Sequence, residues 1–544
     1  MLEPSTPSPG LAYYYPIADP PAAEALHADV VVYGGTAAGV AAAIQATRSG
    51  RSALLMIFGR HVGGMTSGGL GHTDIGNKAA IGGISREFYR RVGEHYGQDE
   101  AWQFEPHVAE AVLCDMLEEA GVEVRFEQRL TGVEMDGSRL VALQMEYGNT
   151  ARGRMFIDAT YDGDLLAMAG VSYTVGREPN TQYRETLNGI HFGHPAHNFK
   201  NWIDPYVEPG RPDSGLLPGV QDLPLGHNGQ GDRCLQAFNF RVCLTHEPDN
   251  QRPFPEPANY DPLRYELLIR YIHSGVWDAL RLSNLMPRGK TDTNNFGGFS
   301  SDHIGGNYDW PEADYARREA IFQDHVSYNQ GLYHFLVTDS RVPESIRQEV
   351  EAWGLPLDEF VETGNWPHEL YVREARRMVS DLVMTEHHCR RTVDVDDPIG
   401  LAAYTMDSHN CRRLVVDGRA YNEGNVEVPP SGPYPIGYRA LVPKAGECEN
   451  LLVPWCLSST HIAFGSIRME PVGMVLGQSA ATAAALAIEQ DTAVQEVDYP
   501  TLRRHLQRDG QVLNWPEPPA TTCLTRLLND ASQATSSQLA MTDA

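Results

Sequence analysis

The stretch that most constrains this chain runs from Asp29 to Gly69, DVVVYGGTAAGVAAAIQATRSGRSALLMIFGRHVGGMTSGG. Val30-Val31-Val32-Tyr33 has no polar face, so it reads as a strand buried on both sides within a parallel sheet. Gly34-Gly35-Thr36-Ala37-Ala38-Gly39 is a glycine-bearing turn, and Val40 to Arg48 continues as a helix of small residues that Gly50 closes. Ser52 to Phe58 supplies a second apolar strand. This spacing makes a βαβ unit of dinucleotide-binding length, whose turn lets backbone N–H groups and a helix N-terminus face a pyrophosphate. Two positions depart from the usual pattern. Thr36 stands where the middle glycine of G-x-G-x-x-G is expected. At the end of the second strand, where an acid would bind ribose hydroxyls, the chain has Ile57 and Phe58, and no Asp or Glu occurs between Asp29 and Asp74.

A second glycine run, Gly63-Gly64-Met65-Thr66-Ser67-Gly68-Gly69, follows that strand and reads as flexible. With it, Asp29 to Gly69 resembles the amino-terminal signature of the FAD-dependent oxidoreductases of the glutathione-reductase-like superfamily. The nearest pattern is that of bacterial members with a GG-T-x-AG turn and a GR-H-x-GGMTSGGLG run, some of which carry the label xanthan lyase. Thr36 is usual in them. The resemblance implies FAD as cofactor, bound around Gly34, Gly35, Thr36, Ala38, Gly39, Gly63, Gly64, Met65 and Thr66.

The remainder of the amino-terminal region fits that reading. His107 to Ala120 is amphipathic and stops at Gly121. Val122 to Phe126, Leu130 to Met135, an Asp136-Gly137 turn and Leu140 to Tyr147 read as strand and hairpin. Met155-Phe156-Ile157 returns as a buried strand ending in DATYDGD, which resembles the family's second flavin motif with Tyr161 in place of a glycine. Asp164 is read there either as a cofactor contact or as a helix N-cap. Gly71 to Asn77 is read as a loop near flavin or substrate, or as a plain turn before a helix capped by Ser85.

From about Gly176 the composition shifts towards Pro, His, Trp and Asn. Arg317 to Phe335 and Glu374 to His387 read as amphipathic helices, which would place Arg373, Arg376 and Arg377 on a helix with at least one facing solvent. Near Tyr434 the flavin domain resumes: Leu451 to Pro454 as a strand, then Cys456 to Pro471, then an alanine-rich helix from Gly473 to Ile488 thin enough to lie close to a ligand. This run resembles the same family's carboxy-terminal signature. The expected architecture is α/β: a Rossmann-like FAD-binding domain, parallel sheet plus β-meander, with a large inserted α+β substrate domain. The divisions are an arm over 1–27, the FAD domain over 28–185 and 436–510, the substrate domain over 186–435, and a tail over 511–544, expected to be disordered from Pro516 onward. The arm's Tyr13-Tyr14-Tyr15 is read as docking on a neighbouring surface or as frayed.

Composition excludes other classes. With 43 basic against 71 acidic residues, a net charge of −28 argues against nucleic acid and anionic membranes as partners. None of the eight cysteines forms a C-x-x-C pair, so no zinc or thioredoxin-like centre is expected and the thiols read as mostly buried and free. There is no secretory leader pattern and no run of eighteen apolar residues, so the expected location is cytoplasmic.

The chemistry implied is hydride transfer from a small polar substrate (sugar, polyol or hydroxy acid) to flavin. A helix N-terminus at Pro471 or Gly473 would stabilise a reduced flavin anion. Arg468 is read as helping that anion, clamping a substrate, or forming a salt bridge to Glu470 or the substrate domain. The base is sought among His387, His388, His409 and His461, with His409 and His461 favoured beside polar loops. Pro287 to Gly298 is either a binding segment for a hydroxyl-rich substrate or a surface loop. The competing functions are a carbohydrate lyase, which needs no flavin, and a non-catalytic binding protein of the same fold. The electron acceptor, a covalent flavin link and the oligomeric state are open.

Overall fold

The computed structural model describes residues 10–17 and 19–516. The tail expected to be disordered falls almost entirely on 517–544, outside the described residues. The chain begins its core with β1 (Ala25–Tyr33), α1 (Ala37–Arg48) and β2 (Ala53–Met56). Next come α2 (Gly83–His95), α3 (Pro106–Ala120), β3 (Glu123–Arg125), β4 (Leu130–Asp136), β5 (Arg139–Met145), β6 (Thr150–Asp158) and α4 (Asp164–Met168). Later elements that matter here are α5 (Tyr315–Thr338), β7 (Leu451–Leu452) and α6 (Glu470–Gln490).

A seven-stranded sheet runs β3-β2-β1-β6-β5-β4, with β7 also beside β6. β1 pairs in parallel with β2 and, from Ala25↔Thr150 to Tyr33↔Asp158, with β6. Val30, Val31 and Val32 are fully buried, as a central strand of a parallel sheet requires. β5 turns antiparallel against the start of β6, and β7 joins its end in parallel. The meander and the late return of the chain to the sheet thus stand as the sequence predicts.

The small residues of α1 and α6 have a packing reason. A Cβ on Gly477 would stand 2.0 Å from the Ala38 carbonyl, so the two helices meet at backbone distance. Gly473 is also explained by packing, since the Trp455 ring occupies the place of its Cβ at 2.4 Å. The thinness of α6 therefore serves helix and aromatic contacts. α6 is long and apolar enough to cross a membrane, and its apolar eighteen-residue window is wholly buried inside the protein.

Several local expectations are corrected. Gly63 to Gly69 is a buried tight turn rather than a flexible run: Gly63 and Gly64 take positive φ, and the Met65 N–H donates to the Tyr161 hydroxyl at 2.7 Å. Ser85 lies inside α2 and does not cap it. Gly163, in the left-handed region, is the N-cap of α4, so Asp164 is its first residue. α5 is buried on nearly every side instead of amphipathic. Glu374 to His387 is mostly irregular, with a two-residue strand at Arg377–Met378 and a short helix at Glu386–Cys389. Arg373, Arg376 and Arg377 are all buried there, each beside a carboxylate, which is what lets charged residues occupy an interior. Among the described cysteines all are free and five are buried.

Candidate functional site

A cavity with about 870 Å³ of atom-free space, its mouth included, opens at the carboxyl ends of β1, β2 and β6. That is where an open α/β sheet binds ligands. Gly34, Gly35 and Thr36 form its floor, Ile57 to His61 one wall, and Thr160 to Asp162 the opposite wall. The glycines are required by crowding. Gly34 has φ +119°, and a Cβ there would stand 2.6 Å from the Ala159 backbone, while one on Gly35 would meet Ile57 at 2.7 Å. Thr36 fits because its Oγ1 donates to the Ala159 carbonyl at 2.7 Å and accepts from the Gly39 N–H, capping α1. Thr36, the N-cap of α1, lines the cavity, so the N-terminal end of α1 adjoins it.

The amino-terminal arm closes this cavity. Tyr13 stacks on Phe58 with ring centroids 4.7 Å apart and meets Trp310 edge-on at 5.0 Å. The Arg60 guanidinium lies 4.2 Å from the Tyr15 ring. Behind the turn, Glu470 at the start of α6 accepts from the Tyr161 hydroxyl and from Thr66 Oγ1, each at 2.8 Å. Burial pushes its carboxyl up to about 7 despite both bonds.

Of the residues expected around a cofactor, Gly34, Gly35, Thr36 and Gly64 line the cavity. Ala38, Gly39, Gly63, Met65 and Thr66 lie in the layer behind it, and Gly473 is packed under Trp455. Asp164 is a correction. It receives a bidentate pair from Arg318 at 2.7 and 2.8 Å and a third bond from Arg376 at 2.7 Å, and its neighbour Asp162 lines the wall instead. Burial raises the Asp164 carboxyl, and the two guanidiniums outweigh it and hold it below its ordinary value.

A second, strongly polar cavity lies across the segment 368–372. His368, Glu369, Leu370 and Val372 face the first cavity, and Tyr371 faces the second. The second holds about 970 Å³ of atom-free space and is walled by His72, Asp74, Asn294, Asn295, Asp407 and His409, among others. The Gly71–Asn77 and Pro287–Gly298 segments thus both contribute to it. Within the latter, Lys290–Thr293 forms a buried strand. Among the described residues, Glu105, His107 and Glu359 are grouped closely enough to hold a metal. The Lys290 ammonium already fills that group, 2.6 Å from Glu105 and 2.7 Å from Glu359.

His409 follows the strand Met406–Ser408 and is buried between two carboxylates, Nδ1 at 2.8 Å from Asp302 and Nε2 at 3.3 Å from Asp407. Arg468 is 3.0 Å from Asp407 and donates to the Tyr371 hydroxyl at 2.9 Å. It is thus tied to the polar cavity, and Glu470 is engaged elsewhere. Burial raises the Asp407 carboxyl, but His409 and Arg468 hold it well below the ordinary range. The other histidines part company with His409. His461 is enclosed between Glu374 at 2.7 Å and Ser408 Oγ at 3.0 Å, behind the cavity wall. His387 sits away from both cavities, its Nε2 3.1 Å from the Arg184 carbonyl, and His388 closes the cap of its own short helix. Asp302, Tyr371 and Arg373 carry no local signal in sequence. Asp407 lies within the same short segment as His409 and is legible as its partner.

A family described as FAD dependent oxidoreductase matches residues 29–506. No curated protein matches the chain. Among solved structures, L-amino acid deaminase from Proteus vulgaris is 16% identical over 30% of this chain and 54% of its own, with a TM-score of 0.24. L-Proline dehydrogenase from P.horikoshii is 15% identical over 29% of this chain and 59% of its own, at 0.23. The chain thus spans a little over half the length of each, and no activity follows from these two. The family match covers most of the sequence, and the chain belongs to the FAD-dependent oxidoreductases, with FAD as cofactor.

Proposed function

We propose that this oxidoreductase acts on a small, hydroxyl-rich substrate of the sugar, polyol or hydroxy-acid type, bound in the polar cavity. The observation that carries the reading is His409, seated in that cavity between Asp302 and Asp407 and across a single chain segment from the glycine-turn cavity. The first cavity fits FAD: glycines permit close backbone approach, α1 presents its N-terminus, and a carboxyl without a protein partner faces the space. Gly34, Gly35, Thr36, Gly64, Tyr161 and Asp162 would hold the cofactor, which when bound supplies a hydride acceptor.

In the polar cavity, oxidation of a C–H bearing a hydroxyl requires that the hydroxyl proton leave. It passes to His409 Nε2, for which the substrate competes with Asp407. Asp302 fixes the ring through Nδ1, and Arg468 fixes Asp407 and Tyr371. Asn294, Asn295 and Asn425 offer donors and acceptors for further hydroxyls, and Phe296 at the rim offers an apolar face. We assign substrate binding chiefly to the 186–435 segment. A cytoplasmic location and the absence of nucleic-acid or membrane partners go with this proposal. The carbohydrate-lyase reading is disfavoured because β-elimination has no use for FAD.

Anaerobic mixing of the flavin-loaded protein with aldoses, polyols and hydroxy acids tests the substrate class. Bleaching of the flavin band by a member of this panel is expected. Bleaching only by amino acids or apolar alcohols contradicts it.

A further inference from the structure

The acid expected at the end of β2 is absent, and Phe58 has been drawn into the Tyr13 stack. The cofactor cavity nevertheless contains two carboxyls, Asp162 and Glu369. Asp162 is engaged, accepting from Trp310 Nε1 at 2.7 Å and lying 3.5 Å from Arg318. Glu369 has no hydrogen bond or ion pair with any described residue. Its place in the wall depends on Gly68, where a Cβ would stand 2.3 Å from the Glu369 Cβ. The glycine run after β2 therefore admits this side chain from the far side of the sequence.

We propose that Glu369 is the acid that accepts hydrogen bonds from the sugar hydroxyls of bound FAD, in place of the missing acid on β2. Ribose and ribityl hydroxyls share this chemistry, and either is a match for a carboxyl open to the cavity. A half-buried carboxyl left without partners is costly, and desolvation pushes this one up to about 8, with Asp162 and Glu470 adding to the rise. Bound hydroxyls remove that cost. The arrangement is an acceptor held ready for a ligand that the protein's own groups leave unmatched. The inference rests on FAD as cofactor and is independent of the substrate.

The test uses the full-length protein with Glu369→Ala and Glu369→Gln. FAD affinity comes from flavin fluorescence returning on dilution of the loaded protein, and the flavin-free chain is titrated with ADP-ribose and with FMN. Loss of the acceptor predicts FAD binding weakened about ten- to a hundredfold in the alanine variant, and less in the glutamine variant, which keeps one acceptor. The loss is expected in one arm, ADP-ribose for ribose or FMN for ribityl. The flavin-free variants should also melt higher than the flavin-free wild type, because an unmatched acid has gone. FAD affinity within twofold of wild type overturns the proposal. So does a loss found in neither arm, or one accompanied by a lower melting temperature of the flavin-free protein, which would mark a structural role. If the alanine variant does not fold, the glutamine variant decides by the same readings. Wild type that binds no FAD would instead overturn the cofactor assignment itself.

Discussion

Nδ1 of His409 lies 2.8 Å from Oδ2 of Asp302, a carboxylate that also lies 2.9 Å from Arg373. The histidine is thereby held from behind, and only its Nε2 edge reaches the polar cavity. His409→Gln should lower kcat by about 10²–10⁴-fold, the usual share of a positioned base. FAD content should be unchanged, since His409 is not in the cofactor wall. Steady-state kinetics with flavin quantitation checks both.

Asp164 joins Arg318 of α5 to Arg376, tying the start of α4 to residues far along the chain. Asp164→Asn leaves two buried guanidiniums without their carboxylate and should cost about 3 kcal/mol in denaturant unfolding. The carboxyl is held below its ordinary value, so its stabilising effect is present at neutral pH. It is lost as pH falls through the folded value, and the variant should lack this part of the acid sensitivity.

Gly477→Ala places a methyl 2.0 Å from the Ala38 carbonyl, at the contact between α1 and α6. Backbone cannot yield as a side-chain tip can. The expected destabilisation is about 3 kcal/mol, at the upper end for overpacking, read from the denaturation midpoint.

Glu369 gives a signal of opposite sign. Its folded pKa, about 8, lies above its ordinary 4.5, so the contribution to stability is whole below that lower value and is lost as pH rises through the upper one. Flavin-free Glu369→Gln should therefore gain on flavin-free wild type as pH rises across that window. Thermal melts at stepped pH measure the gap.

The local patterns of the sequence are strong where the period is strong. Val30 to Tyr33 and Ala37 to Arg48 declare strand, turn and helix by themselves, and the late return of the chain to the sheet is legible at Leu451. Glu374 to His387 misleads because its charged and apolar residues mimic helical spacing. Those charges are instead matched by Asp302, Asp164, Glu178 and Glu374, most of them distant in sequence. The same limit hides Glu369, whose meaning appears only when Gly68 and the cavity stand beside it. His409 and His461 could not be told apart from sequence, since enclosure between Glu374 and Ser408, as at His461, is a tertiary fact.

The most direct test of the account is the rate of flavin reduction under anaerobic stopped-flow, at saturating substrate, in wild type and in His409→Gln. A base acting within the reduction step predicts a fall of about 10²-fold or more. Reduction at the wild-type rate in the variant would contradict the placement of the chemistry at His409 and in the polar cavity.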